Sequence, residues 1–111
     1  MSCGRRFGRQ NNLDSIEQAE FIDMVIIALH SLGGAARRQA VLDKIERLFG
    51  DHFRAADYAT LPSDPPKVRW IHNADWSRRK LVLNGFLQPT SHPPGKWVLT
   101  VEGKRRASQI V

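Results

Sequence analysis

Residues 68–100, VRWIHNADWSRRKLVLNGFLQPTSHPPGKWVLT, hold the punctuation from which the fold is read. Helix-compatible residues run from Val68 to Asn84, and Gly85 ends them as a natural C-terminal stop. Phe86–Pro89 then reads as a strand, Thr90–Gly95 as a turn, and Lys96–Thr100 as a second strand rich in β-formers. Thr100 has the hydroxyl needed to cap a short last helix carrying Lys104, Arg105 and Arg106.

Working outward, Pro62, Pro65 and Pro66 enforce a loop before this unit, because proline cannot donate to a helix ladder. Phe53–Leu61 is expected to form one or two irregular turns. Upstream, Val41, Leu42, Ile45, Leu48 and Phe49 give one apolar face to a helix over Arg37–Phe49, closed by Gly50. Ala35-Ala36 before it is compatible with a short strand but too brief for propensity to decide. A first helix is expected to start near Asp14 or Ser15, with Glu17 or Gln18 completing a capping box, and to stop at Gly33-Gly34. Ile22, Val25, Ile26, Leu29 and Leu32 follow the 3.6-residue period, while Phe21, Met24, Ile27 and Ala28 widen the stripe. So wide a stripe implies burial on two sides or a share in a second subunit. Residues 1–13 read as a flexible basic tail with Arg5, Arg6 and Arg9, able to lie along a DNA backbone or minor groove. Residues 14–111 then form one domain, as 111 residues allow. Three helices followed by a hairpin is the order of an α+β winged helix-turn-helix, whose third helix enters the major groove.

The charge distribution points to the same half. Residues 1–66 hold eight Lys/Arg against nine Asp/Glu, whereas residues 67–111 hold nine against two. A basic half of this kind is the footprint of a polyanion binder, with a merely solubilising surface as the plainer reading. The proposed third helix and wing carry Lys67, Arg69, Arg78, Arg79, Lys80 and Lys96, so topology and charge converge on double-stranded DNA. The DNA-contact set read from the sequence is Lys67, Arg69, Asn73, Ser77, Arg78, Arg79, Lys80, His92 and Lys96. Arg pairs bidentately with guanine and Asn with adenine, but most of these side chains are expected on phosphates.

Two phases fit the third helix. One gathers Ile71, Ala74, Arg78, Leu81 and Val82 on the core face. The other buries Trp76, Ser77 and Leu81 and exposes Arg78, Arg79 and Val82. The second is preferred, because a buried unpaired arginine costs more than an exposed valine. Trp70, Trp76 and Trp97 are read as core anchors.

Catalysis and cofactors find little support. Lone Cys3 excludes an internal disulfide and a multi-cysteine zinc site, and the four histidines lie 20 to 22 residues apart with no helical ligand pair. Glu102-x-Lys104 superficially matches part of a metal-dependent nuclease motif. Asp75 falls inside a helix and Asp64 in a proline loop, however, so no second carboxylate stands on a neighbouring strand. Glu102 fits better as a helix-start acid. The longest apolar run, Met24–Leu29, is too short for a membrane span, and no signal-peptide segment follows the N-terminal arginines, so the expected location is cytoplasmic.

The stretch Trp76–Leu87, with Arg78-Arg79-Lys80-Leu81 and Gly85-Phe86-Leu87, resembles the N-terminal winged-helix domain of Mrr-type restriction endonucleases. Gly95–Gly103, with Trp97, Leu99 and Thr100, resembles its wing strand and closing turn, and Leu29–Gly34 and Val41–Ile45 fit more weakly. The likeness covers roughly residues 20–107. It implies a recognition module that delivers a nuclease to DNA, often DNA with modified bases, here without the nuclease half and so not an enzyme. An excised domain and a free-standing regulator both fit that description. Two other readings compete: a winged helix that binds protein through its first helix, and a dimeric transcriptional regulator. The wide apolar stripe also admits a homodimer through the first helix.

Overall fold

A computed structural model describes residues 17–62, 66–89 and 95–110. The chain is α+β. Helix α1 spans Glu20–Ser31, strand β1 Ala35–Arg37, α2 Arg38–Phe49, α3 Ala55–Tyr58, α4 Arg69–Leu83, β2 Lys96–Val98 and α5 Val101–Ile110, with a 3-10 turn at Gly50–His52.

Helix α1 is the centre of the molecule and packs against α2, α4 and α5. That explains its broad stripe. Phe21, Met24, Val25, Ile26, Ala28 and Leu29 are all buried, and Ile22 and Ile27 pack on the core edge. A helix covered from three directions within its own chain needs apolar residues on most of its circumference. The expectation of a homodimer or protein partner through the first helix therefore loses its basis, because the stripe is already covered. The helix also begins at Glu20, later than the Asp14–Ser15 expectation, with Ala19 in the capping position and no side-chain cap. Asp14, Ser15 and the 1–13 tail lie outside the described residues.

Gly33 and Gly34 end α1 in the left-handed region, at φ of +91° and +97°. Two successive residues there turn the chain sharply at a cost that only glycine avoids. The Gly34 amide donates back to Leu29 O at 2.8 Å, and its carbonyl accepts from the Leu99 amide at 2.8 Å. The turn thereby delivers Ala35–Arg37 to the edge of β2.

The strands pair antiparallel, with Ala35 opposite Val98, Ala36 opposite Trp97 and Arg37 opposite Lys96. The brief Ala35-Ala36 step is thus a real strand, held by a partner about sixty residues away. The hairpin strand expected at Phe86–Pro89 is reduced to one antiparallel bridge, Leu87 to Leu99. Bonds from Gln88 N to Val98 O (2.9 Å) and Thr100 N to Phe86 O (3.0 Å) flank it. Pairing is therefore shared: β2 is central, β1 lies on one edge and Leu87 on the other. Of the turn expected at Thr90–Gly95, residues 90–94 lie outside the described residues, and Gly95 has a φ of +94°.

Further along, Thr60 and Val68 form a bridge, with Leu61 N bonded to Lys67 O at 2.8 Å. This closes the proline-rich loop at its base. Phe53 fills the space above, its ring 5.9 Å from Phe21 and 5.2 Å from Trp70. Thr100 caps α5 as read from the sequence. Its Oγ1 accepts from Gly103 N at 3.0 Å and donates to Gly85 O at 2.6 Å, joining the start of α5 to the end of α4.

Candidate nucleic-acid interface

Helix α4 carries most of the expected contact residues, and its core face is narrow. Trp70, Asn73, Ala74, Ser77 and Leu81 are buried, spaced i, i+3, i+4, i+7 and i+11. At 100° per residue this stripe centres near Ala74 and Ser77. Both sequence phases need correction on that account. Ser77 and Leu81 are buried as preferred, but Trp76 lies about a third of a turn from the centre of the stripe and is only half-buried. Val82 is half-buried against the core edge instead of exposed. Trp70 and Trp97 are core anchors, at 5% and 4% exposure.

Arg78 is the larger correction. It leans toward the strand side of α4, half-buried, with Nη2 donating to Pro89 O at 3.3 Å. Its Nε is buried without a hydrogen-bond partner among the described residues. The expected open arginine thus spends one donor on tying α4 to the strand that follows it.

Asn73 and Ser77 leave the candidate surface. Asn73 is 6% exposed and its Oδ1 accepts from Gln18 Nε2 at 3.1 Å, while Ser77 is fully buried. Lying 40–60° from the stripe centre or closer, neither side chain can reach a duplex edge. His92 lies outside the described residues. Lys96 is half-buried on β2.

Arg79 and Lys80 are exposed, and Arg69 is half-buried at the start of the same helix. Neither Arg79 nor Lys80 makes an ion pair among the described residues. Lys80 Nζ instead stands 5.5 Å from the centroid of the Trp76 ring, a cation–π contact on the outward side of the helix.

Lys67 is placed differently. Its Nζ lies 2.9 Å from Asp75 Oδ2, and Arg38 holds both oxygens of the same carboxylate at 2.9 Å. Sequence reading missed this cluster because Arg38 arrives from the first turn of α2, 37 positions away, with no local signal. Partial burial pushes the Asp75 carboxyl upward, but hydrogen bonds and charge from Arg38 and Lys67 outweigh it and hold the pKa below the usual aspartate value. The same hydrogen bond raises Arg38 above its ordinary value. A depressed carboxylate pKa contributes stability above the unfolded value, near pH 4, that is lost as pH falls through the folded value. Thermal melts between about pH 5 and pH 2 should therefore show a steeper acid loss for the parent chain than for Asp75→Asn. Parallel curves would remove Asp75 as a source of acid sensitivity.

Two of the three basic residues on α5 are also compensated, and Lys104 is exposed with no ion pair among the described residues. Arg105 bonds Glu102 at 3.1 Å and Arg106 lies 3.6 Å from Asp23. Glu102 and Asp23 line one pocket together with Arg105 and Arg106, Asp75 is held by Arg38 and Lys67, and no group of three metal-ligating side chains occurs among the described residues. Among those residues, too, no helix is long and apolar enough to cross a membrane.

No family model, curated protein or solved structure matches this chain.

Proposed function

We propose that this chain is a winged-helix module that binds double-stranded DNA through the outward side of α4, with no catalysis of its own. The observation that carries the reading is the pairing of adjacent exposed cations with an aromatic ring on α4. Arg79 and Lys80 have no carboxylate partner among the described residues, as is also true of Lys44 and Arg47 on α2 and Lys104 on α5, and the contact of Lys80 with the Trp76 indole is what distinguishes the α4 pair. Uncompensated cations on an exposed helix, beside a half-exposed indole, suit a phosphate backbone and a groove edge.

Topology supports the same reading. Helix α1, edge strand β1, α2, the four-residue α3, α4, the Leu87 bridge and central strand β2 follow in an order compatible with a winged helix, and β2 lies between β1 and Leu87. The likeness of residues 76–87 and 95–103 to the N-terminal domain of Mrr-type restriction endonucleases adds base-modified duplexes as the first targets to compare.

The test is fluorescence anisotropy of a labelled duplex, with and without cytosine methylation, across about 50 to 200 mM salt. The Arg79→Ala/Lys80→Ala double variant should bind more weakly and flatten the log–log salt slope by about 1.8, two phosphate contacts at roughly 0.9 each. Arg105→Ala on α5 should leave the slope unaltered. A methylation preference would support the restriction-type reading. No duplex binding by the parent chain at 50 mM salt would overturn the proposal.

A further inference from the structure

The outward side of α4 contains one acid among its cations, and its position is informative. Asp75 stands one helical turn before Arg79 and next to Trp76. A duplex backbone arriving at Arg79 would meet this carboxylate. Like charge at that point opposes binding.

Asp75 does more than repel. Its two oxygens bind Arg38 Nε and Nη2 at 2.9 Å each, and Oδ2 also takes Lys67 Nζ at 2.9 Å. A bidentate guanidinium with a second cation is the arrangement that recognises a phosphate as readily as a carboxylate. The cluster is reachable: side-chain exposure is 43% for Arg38, 31% for Lys67 and 23% for Asp75. An incoming anion could therefore exchange with Asp75 without the fold opening.

Resting on the duplex-binding reading above, we infer that Asp75 is a built-in counter-charge that occupies the Arg38–Lys67 anion clamp and withholds it from duplex phosphates. Two cations beside the candidate interface are thereby kept out of sequence-independent binding. Affinity then depends more on the contacts of Arg79, Lys80 and the neighbouring α4 side chains. In this role Asp75 sets specificity by restraint.

The experiment is the salt dependence of duplex affinity for the whole chain and three variants. Asp75→Asn frees both cations, so its log–log slope should steepen by up to about 1.8. Equivalently, the ratio of its affinity to that of the parent should grow about twelvefold between 200 and 50 mM salt. In the chain that retains Asp75, Arg38→Gln and Lys67→Gln should leave the slope unchanged, because neither cation is on phosphate. A strut that only ties α2 to α4 would lower thermal stability in these variants and leave the Asp75→Asn slope where it was.

An unchanged slope in folded Asp75→Asn overturns the inference. So does a slope about 0.9 shallower in Arg38→Gln or Lys67→Gln, which would mean that the clamp already holds a phosphate. If Asp75→Asn does not fold, Asp75→Ser is scored on the same slope in its place, because the glutamine variants leave the slope unchanged under a purely structural role as well. Both outcomes leave the duplex-binding reading standing, since the parent chain still binds. Failure of the parent to bind any duplex at 50 mM removes that reading and this inference together.

Discussion

Gly103→Ala is expected to destabilise the fold by about 2 kcal/mol, even though alanine favours a helix over glycine by about 1 kcal/mol. Gly103 is buried in the first turn of α5, where the helix crosses the chain leaving α4. A methyl group there would sit far inside van der Waals contact with the Phe86 carbonyl oxygen and 3.0 Å from Leu99 Cδ2. The carbonyl cannot give way cheaply, because Phe86 O accepts the Thr100 amide at 3.0 Å and the neighbouring Gly85 O accepts Thr100 Oγ1 at 2.6 Å. Relief requires α5 to lift from the α1–α4 core, and with it goes the packing of buried Ala107. For a domain of this size the loss corresponds to a drop in Tm of roughly 8–16 °C, read by circular dichroism. Ser108→Ala, on the exposed side of α5, is the control and should shift Tm little. A Gly103→Ala protein as stable as the parent would show that α5 does not approach Phe86 this closely.

That junction also shows which parts of the fold were legible in the residues. Thr100 as a cap, Gly33-Gly34 as a stop and Gly85 after α4 are local signals, and each occurs where the chain order places it. Helix α4 runs Arg69–Leu83, one residue inside the expected Val68–Asn84 at each end. Helix α1 starts later than a capping box at Asp14 or Ser15 allows, because such a box is only a local permission, and the helix begins where it gains tertiary cover at Phe21 and Met24. Strand β1 has the weakest propensity of any element, Ala-Ala-Arg, and exists through its pairing with Lys96–Val98. Phe86–Pro89 has far better β residues, yet makes a single bridge. Pairing across long separations decided both cases, and propensity does not carry that information.

The candidate surface divides in the same way. Arg79 is exposed, as its place opposite Ala74 and Ser77 requires, and Lys80 is exposed although it lies only about 60° round the helix from Ser77. Asn73 and Arg78 differ from expectation because a shift in helix phase moves a whole set of side chains between core and surface, whereas Ser77, on the core face of the preferred phase, is buried there and so is unavailable as a DNA contact. Apolar periodicity in α4 is blurred by Ile71, Val82 and Leu83, which lie off the buried stripe, and Leu83 is 78% exposed. Asn73 in the stripe is accommodated by Gln18, from the turn before α1, a partner no local pattern announces. The engagement of Lys67 by Asp75 likewise depends on Arg38 and on the folded loop.

Trp97→Ala should be the most damaging single change, at about 3–5 kcal/mol. Trp97 is the one inward-facing residue of β2, 4% exposed, and lies opposite Ala36, whose small side chain leaves the indole room. Truncation opens a void under the central strand, and neither Ala36 nor Leu99 can fill it. Since small domains are stable by only about 5–15 kcal/mol, a large share of the folding free energy is at risk. The strand also holds both edges of the sheet, so β1 and the Leu87 bridge should loosen with it. Trp97→Phe, which keeps an aromatic ring in place, should recover most of the loss. Two readouts separate this role from base stacking. If Trp97 is the core anchor, Trp97→Ala lowers Tm steeply, and duplex affinity measured on the protein that remains folded at low temperature keeps the parent's salt slope. If the indole instead stacks on nucleic acid, Tm stays near the parent value while affinity falls at every salt concentration. That second result would mean that β2 turns its tryptophan outward and that the central strand is anchored by something else.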